Sequence, residues 1–202
     1  MAAGPAKRWQ ADSRLKQLVE IDGEPLLLRT IGQIEAHGYD CIVVTHEPRI
    51  QEAVGLERCF NPDERDMHAA SVLSTTELWG RRTILFEGDA ILSEQMMERV
   101  LSEHRVFAAF GDSGEHYAYM WSWVIWPIWV PALRKAIRNV REYRRGFGQL
   151  LDAYAIMYGH EDRETLWTSD DLIIIEDYST DFDSVESYDE FLRANPWARG
   201  ET

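Results

Sequence analysis

Residues 1–28 constrain the fold of this chain more than any other part of its sequence. They begin with a loop of small residues, Ala2-Ala3-Gly4, and three basic side chains follow, Lys7, Arg8 and Lys16. A tight turn at Gly23-Glu24-Pro25 then opens into an apolar run typical of a helix. Small residues let backbone N–H groups approach an anion closely, and the cations can neutralise its charge. The pattern therefore predicts a triphosphate-binding site; the alternative is an ordinary basic surface loop.

The composition predicts a single globular domain. The chain has 202 residues, of which 45% are hydrophobic, and this is enough for one proper core. It contains no apolar run of about 18 residues, as a membrane span would need, and no apolar region of a signal peptide. The cysteines Cys41 and Cys59 show neither metal-ligand spacing nor a disulfide framework. We therefore expect a cytoplasmic protein that does not engage a membrane.

The charge excludes one class of partner and permits another. A net charge of −14 argues against nucleic-acid binding, which needs a basic face to displace counterions from phosphates. A few well-placed cations and a divalent metal can still bind a mononucleotide within an acidic protein. We expect most of the acidic excess to form a solvated surface.

Predicted strands and helices alternate along the chain. This favours a three-layer α/β/α domain with a mostly parallel mixed sheet. We expect one domain over residues 1–202, with a nucleotide-binding half at 1–110 and an acceptor-binding half at 111–202. The predicted helices cover residues 25–37, 48–54, 66–79, 93–103, 131–143, 147–158 and 184–194, and the predicted strands 41–45, 57–60, 83–86, 106–110, 117–126 and 172–175.

The order of the N-terminal features resembles a known signature. The small-residue loop, the basic residues and the run from Lys16 through Gly23 to Pro25 are similar to the start of the nucleotidyltransferase family with the GT-A-type α/β fold, which includes sugar-phosphate and MobA-like enzymes. Its members join an NTP to a phosphorylated acceptor, often a sugar 1-phosphate, and release pyrophosphate. Ala6 and Leu15 stand where the family usually has glycine and proline.

The resemblance also implies a strand that the sequence lacks. In the family, an apolar strand precedes the small-residue loop and lies in the middle of the sheet. The present sequence begins at Met1 with the loop itself. Without that strand, its neighbours in the sheet would lose their hydrogen-bonding partners. We expect a start upstream of Met1; otherwise another segment fills the gap, or the fold is compromised.

The first candidate metal ligand follows an apolar strand. Glu87-Gly88-Asp89 comes directly after residues 83–86, and ligands of open α/β sheets bind beyond the carboxyl ends of the strands. Family members carry a Gly-Asp at this place as a metal ligand, so the resemblance implies that Asp89 holds Mg²⁺. The alternative is a turn aspartate that caps the next helix.

The second candidate ligand lies near the end of the chain, in Asp181-Phe182-Asp183. The resemblance aligns Asp183 with the family's second metal ligand and makes Asp181 an outer neighbour. Asp183 could instead cap the helix that begins at Ser184. The D-x-D pattern also occurs in glycosyltransferases, but there it follows a strand in the middle of the chain. Which of the two aspartates is the ligand stays open.

These residues together predict a Mg²⁺-dependent nucleotidyltransferase that serves nucleotide-sugar biosynthesis. Its partners would be an NTP and a small phosphorylated acceptor. The resemblance assigns Lys16 to the α-phosphate and the acceptor, and Lys7 and Arg8 to the β- and γ-phosphates. Two alternatives stay open: a glycosyltransferase that uses a nucleotide sugar, and an inactive nucleotide-binding module. The expected catalytic residues are Arg8, Lys16 and Asp89; the nucleotide-binding residues are Ala2, Ala3, Gly4, Lys7, Arg8, Lys16 and Ser71; the metal ligands are Asp89 and Asp183.

Overall fold

A computed structural model describes residue 9 and residues 15–63, 68–112, 119–143, 150–157, 159, 172–182 and 184–200. Its strands are β1 (Glu20–Ile21), β2 (Glu24–Pro25), β3 (Val43–Val44), β4 (Cys59–Phe60), β5 (Thr83–Phe86), β6 (Ala90–Ile91), β7 (Phe107–Asp112), β8 (Tyr119–Ile125), β9 (Leu172–Ile174) and β10 (Thr180–Asp181). Its helices are α1 (Leu26–Ala36), α2 (Pro48–Val54), α3 (His68–Ser74), α4 (Glu94–Leu101), α5 (Val130–Tyr143), α6 (Leu150–Met157) and α7 (Val185–Ala194). The predicted α/β fold is confirmed.

The main sheet has the strand order β5-β8-β7-β9. Strand β8 runs antiparallel to both β5 and β7, whereas β9 runs parallel to β7. Over the described residues, β5, β7 and β9 therefore run in one direction and β8 runs in the other, so this sheet is mixed. Strand β8 is reversed because its connection to β7, residues 113–118, is too short for the crossover that parallel neighbours require.

The two faces of the main sheet carry separate apolar clusters. On one face, Leu85, Ala109 and Trp123 pack with residues of α3, α5 and α6. On the other face, Ile84 and Phe110 pack with residues of α1 and α4. This division follows from the alternation of side chains along each strand. The molecule thus has the predicted three layers.

Helix ends follow the signals in the sequence. Helix α4 begins after Ser93, whose Oγ accepts a hydrogen bond from the Met96 N–H at 2.9 Å. Helix α7 begins with a capping box in which Ser184 and Ser187 each accept from the other's backbone N–H. The main exception is the helix predicted over 66–79: residues 68–79 are described, but α3 ends at Ser74. It ends early because the Thr75 hydroxyl donates to the Val72 carbonyl, and a separate 3-10 turn follows at Thr76–Leu78.

Short strands join the two ends of the chain. Strands β1 and β2 form a hairpin, and strands β10 and β6 pair antiparallel. The buried Trp9 lies in one apolar cluster with Ile91, Phe182 and Tyr188. Its Nε1 donates a hydrogen bond to the Phe182 carbonyl at 3.3 Å. Trp9, which directly follows Arg8 in the sequence, is therefore packed against the segment that carries the C-terminal aspartates.

A gap divides the sheet between β3 and β5. Strand β3 pairs in parallel with β4, and among the described strands neither pairs with the main sheet. A cavity of about 250 Å³ lies between residues 41–44 and residues 83–88. The expected strand upstream of Met1 stays a prediction.

Two further observations concern compartment and membrane. In the part of the chain that the structure describes, no helix has both the length and the apolar character needed to cross a bilayer. Cys41 and Cys59 are free thiols, as their spacing predicts.

Candidate active site at the end of strand β5

A lysine lies between two carboxylates at the end of β5. Lys16 belongs to a one-turn 3-10 helix, Lys16–Leu18, and its side chain is largely buried. Its Nζ is 3.1 Å from Asp89 Oδ2 and 3.4 Å from Asp181 Oδ2. The structure thus brings together two predicted catalytic residues, Lys16 and Asp89, of which Asp89 is also a predicted metal ligand. Asp181, one of the two aspartates between which the sequence could not decide, lies beside them.

The strand ladder explains how these groups meet. Strand β5 ends at Phe86, and the turn through Gly88 places Asp89 immediately before β6. Strand β6 pairs with β10 in a register that sets Ala90 opposite Asp181. The carboxylate that precedes β6 and the one that ends β10 therefore lie on neighbouring strands. The site has the position expected from α/β folds, in which ligands bind beyond the carboxyl ends of the strands.

Among the residues that the structure describes, the Lys16 ammonium contacts two carboxylates, whose side chains are 28% and 29% exposed. Within the described residues, no three His, Cys, Asp or Glu side chains form a group that could hold a metal ion. Two carboxylates nevertheless suit Mg²⁺, which keeps several waters and takes its other oxygen ligands from substrate phosphates. The donor set of Asp89 and Asp181 therefore fits the cofactor that the family resemblance implies.

A second charged pair borders the site. His68 Nε2, at the start of α3, lies 3.3 Å from Glu87 Oε1, in a contact of charges rather than an aligned hydrogen bond. Burial lowers the pKa of His68, but the Glu87 carboxylate outweighs it and the net pKa is raised. Burial also raises the pKa of Glu87, but the charges of the His68 imidazolium and the Lys16 ammonium outweigh this effect, so the pKa of Glu87 is lowered overall. Sequence reasoning missed this pair: Glu87 was part of a motif, but nothing local to His68 indicated its partner.

The other predicted site residues fall into two groups. Ser71 is buried in α3, one turn along the helix from His68, so α3 flanks the site. The remaining predicted residues lie outside the described part of the chain: Ala2, Ala3, Gly4, Lys7, Arg8 and Asp183.

Solved structures of similar fold are nucleotidyltransferases by name. A protein named as a glucose-1-phosphate thymidylyltransferase, from Bacillus anthracis, has a TM-score of 0.71 at 14% identity, over 100% of this chain and 94% of its own. The inositol-1-phosphate CTP transferase of T. maritima has a TM-score of 0.60 at 12% identity, over 100% and 95%. The CTP:phosphocholine cytidylyltransferase of Streptococcus pneumoniae has a TM-score of 0.58 at 16% identity, over 96% of each chain. At these identities the likeness shows a common fold.

The sequence comparisons bear on the family directly. No curated protein matches this sequence significantly. The profile of the MobA-like NTP transferase domain matches residues 1–161, most of the chain, and this stretch includes the small-residue loop, Lys16 and Asp89. With the fold and the position of the site, this match shows that the chain is a nucleotidyltransferase that belongs to the family of MobA-like NTP transferase domains.

Proposed function

We propose that this chain transfers a nucleotidyl group from an NTP to a small phosphorylated acceptor, with release of pyrophosphate and with Mg²⁺ as cofactor. The observation that carries the proposal is the convergence of Lys16, Asp89 and Asp181 at the end of β5. These residues come from three distant parts of the sequence. A cation that can contact phosphate and two carboxylates that can contact a metal are the groups that phosphoryl chemistry needs in one place.

In this reaction the protein supplies position and charge, and no protein nucleophile is needed. An ionised oxygen of the acceptor phosphate attacks the α-phosphorus in line, the new P–O bond forms, and the bond to the β-phosphate oxygen breaks. Lys16 would move its ammonium from the carboxylates to the α-phosphate and the acceptor, where negative charge must be held. The small-residue loop at Ala2-Ala3-Gly4, with Lys7 and Arg8, would hold the β- and γ-phosphates until pyrophosphate leaves. When bound, Mg²⁺ would neutralise phosphate charge from the side of the carboxylates.

The metal ligands we propose are Asp89 and one aspartate of the 181–183 segment. Asp181 is supported by its position, 3.4 Å from the same ammonium that contacts Asp89. Asp183 is supported by the family resemblance.

The acceptor is proposed to be a phosphate monoester of a small polar molecule. Structures of the same fold are named for glucose 1-phosphate, phosphocholine and inositol 1-phosphate. These three acceptors share the phosphate group and little else, so the shared group is the part that this site is expected to recognise.

The test is a matrix of nucleotides against acceptors, with pyrophosphate as the readout. Each NTP and dTTP is incubated with Mg²⁺ and with glucose 1-phosphate, other sugar 1-phosphates, phosphocholine or inositol 1-phosphate. We expect at least one pair to release pyrophosphate and to yield the matching diphosphate product, detected by mass spectrometry. Failure of every pair, together with turnover of a nucleotide sugar, would contradict the proposal and favour a glycosyltransferase.

Matched variants test which aspartates the reaction needs. We expect Asp89→Asn to lower turnover at least about a hundredfold, as loss of a charge-stabilising group does. Asp189→Asn makes the same change at an exposed position of α7 and should leave turnover intact. Asp181→Asn and Asp183→Asn decide between the two candidate ligands, since the ligand variant should lose Mn²⁺ binding as well as turnover.

A further inference from the structure

A network of hydrogen bonds joins the start of α4 to the segment that precedes β10. Both oxygens of the Asp177 carboxylate take part: Oδ1 accepts from the Ser179 N–H at 2.6 Å, and Oδ2 accepts from the Ser93 hydroxyl. The Ser179 hydroxyl in turn accepts from the Ser93 N–H at 2.9 Å. Both serines are almost fully buried. The three residues therefore form a closed polar network between two distant parts of the sequence.

Each member of the network depends on the Asp177 carboxylate. The Ser93 Oγ accepts from the Met96 N–H as the cap of α4, so its single proton is left for Asp177. Hydrogen bonds to an ionised acceptor are about twice as strong as those between neutral groups. Without this carboxylate, a buried hydroxyl and a buried backbone N–H would both lose their acceptor. The network is therefore held together from Asp177.

The network lies at one end of the short ladder that carries Asp181. Strands β10 and β6 pair over two residues each, and Asp181 stands opposite Ala90. Ser179 directly precedes β10, and Ser93 follows β6 after one intervening residue. A ladder of this length is too short to fix its own register, so contacts at its ends must do so.

The register of this ladder decides where the Asp181 carboxylate lies. Asp89 directly precedes β6, and Lys16 Nζ lies 3.1 Å from Asp89 Oδ2 and 3.4 Å from Asp181 Oδ2. A shift of β10 by one residue would move Asp181 about 3.3 Å along β6 and turn its side chain to the other face. The buried Phe182 opposes such a shift at one end of β10, and the network opposes it at the other.

We propose that Asp177 is a positioning residue for the reaction. Through Ser93 and Ser179 it fixes β10 against β6, and this places the Asp181 carboxylate beside Lys16. In this role Asp177 contacts neither substrate nor metal. The placement of Asp181 is a property of the fold, whereas its consequence for metal binding and turnover rests on the proposed function.

The same turn has a second contact, which is the competing explanation for its position. The ring of Tyr178 lies 5.4 Å from the ring of Trp197, centroid to centroid, although Tyr178 is itself 43% exposed. Tyr178→Ala removes this contact and leaves the Asp177 carboxylate in place. The two variants therefore separate the hydrogen-bonded network from the aromatic contact.

The first experiment follows the Lys16 ammonium by NMR in the full chain, without nucleotide or metal. We expect Asp177→Ala to move the Lys16 Nζ resonance toward the position that it has in Asp181→Asn. Hydrogen exchange of the β6 and β10 amides should become at least about tenfold faster in Asp177→Ala. Tyr178→Ala should change both quantities little.

The second experiment is a double-mutant cycle between Asp177 and Asp181. In the wild-type background, Asp177→Ala should lower turnover about tenfold, as the loss of a residue that orients a metal ligand does. In the Asp181→Asn background, the same change should alter neither turnover nor the Lys16 Nζ resonance further, because residues that act through one another are not additive. Its effect on Tm should persist in both backgrounds.

Two further variants guard against a general loss of stability. Thr75→Val removes a buried hydroxyl that donates to the Val72 carbonyl and accepts from Trp79 Nε1, and it should lower Tm without moving the Lys16 signal. Asp177→Asn keeps an acceptor for the Ser179 N–H but presents an amide to the Ser93 hydroxyl. If Asp177→Ala does not fold, this milder variant carries the test and should act in the same direction.

The contrary outcomes are distinct. Equal effects of Asp177→Ala in the two backgrounds, or an equal shift of the Lys16 signal by Thr75→Val, would overturn the proposal and leave Asp177 a purely structural role. An equal loss in Tyr178→Ala would assign the position of the turn to the aromatic contact instead. If the wild type releases pyrophosphate with no pair of substrates, the proposed reaction fails, while the Lys16 signal and hydrogen exchange still decide whether Asp177 positions Asp181.

Discussion

Replacement of Lys16 by methionine tests whether this lysine occupies the place of a metal ion between Asp89 and Asp181. Methionine keeps much of the length and apolar character of the side chain and removes its charge. The variant thus removes the ammonium that lies within 3.4 Å of both carboxylates. We expect the variant to bind a divalent ion more tightly than the wild type in the absence of nucleotide, although it should lose turnover.

The geometry gives the size of the effect. At 3.1 Å, an effective dielectric constant of about 20 gives a gross attraction of about 5 kcal/mol for one ammonium–carboxylate pair. Most of this is offset by the desolvation of the ammonium group. Both carboxylates are also more than a quarter exposed, so water screens the remainder. A net value of about 1–2 kcal/mol remains, which corresponds to roughly tenfold tighter binding of the ion.

The assay is calorimetric or paramagnetic titration of Mn²⁺ into the wild type and Lys16→Met, at low ionic strength and without nucleotide. Thermal melts provide a second measurement: the variant should melt lower than the wild type without metal and recover with saturating Mn²⁺. Lys135→Met, which removes an exposed lysine on α5, is the control and should alter neither quantity. Equal Mn²⁺ affinity in the wild type and Lys16→Met would refute the view that the ammonium and the metal compete for one site.

Three further predictions concern stability. Glu87→Gln should lower the pKa of His68 in an NMR titration. Because the pKa of His68 is raised in the folded state, Glu87 stabilises the wild type most below about pH 6.5. The difference in stability between the wild type and the variant should therefore disappear as the pH rises through the folded-state pKa of His68. Ser93→Ala removes the cap of α4 and the hydrogen bond from Ser93 to Asp177, and should cost about 2–4 kcal/mol in urea unfolding, compared with about 1 kcal/mol for Ser184→Ala. Trp9→Phe should cost about 1–3 kcal/mol, because the buried Phe182 carbonyl loses its donor; an unchanged urea midpoint would show that Trp9 is not packed as described.

The sequence sufficed where a local signal has a fixed structural meaning. Ser93 and Ser184 begin helices because a side-chain acceptor at that position satisfies a free N–H group. Asp89 follows an apolar strand, and this position alone places it at the carboxyl end of the sheet. The order of the N-terminal signature predicted that Lys16 would approach the same end, and the ion pair with Asp89 agrees with it.

The sequence did not suffice where a contact depends on how elements are placed in space. His68 and Glu87 meet because α3 packs beside the end of β5, and no spacing along the chain encodes that packing. Trp9 lies in a segment whose composition is that of a loop, yet its ring is fully buried against the C-terminal segment.

The two aspartates of the C-terminal segment show this limit most clearly. Asp181 and Asp183 are chemically identical, lie two residues apart and flank the same phenylalanine, so the sequence alone gives no reason to prefer either. What distinguishes Asp181 is the ladder between β10 and β6, which sets it opposite Ala90 and thus beside Asp89. The buried Phe182 holds this register, since a shift by one residue would turn its ring out of the core that it shares with Tyr188. An apolar contact therefore helps to hold Asp181 in the register in which its carboxylate reaches the lysine.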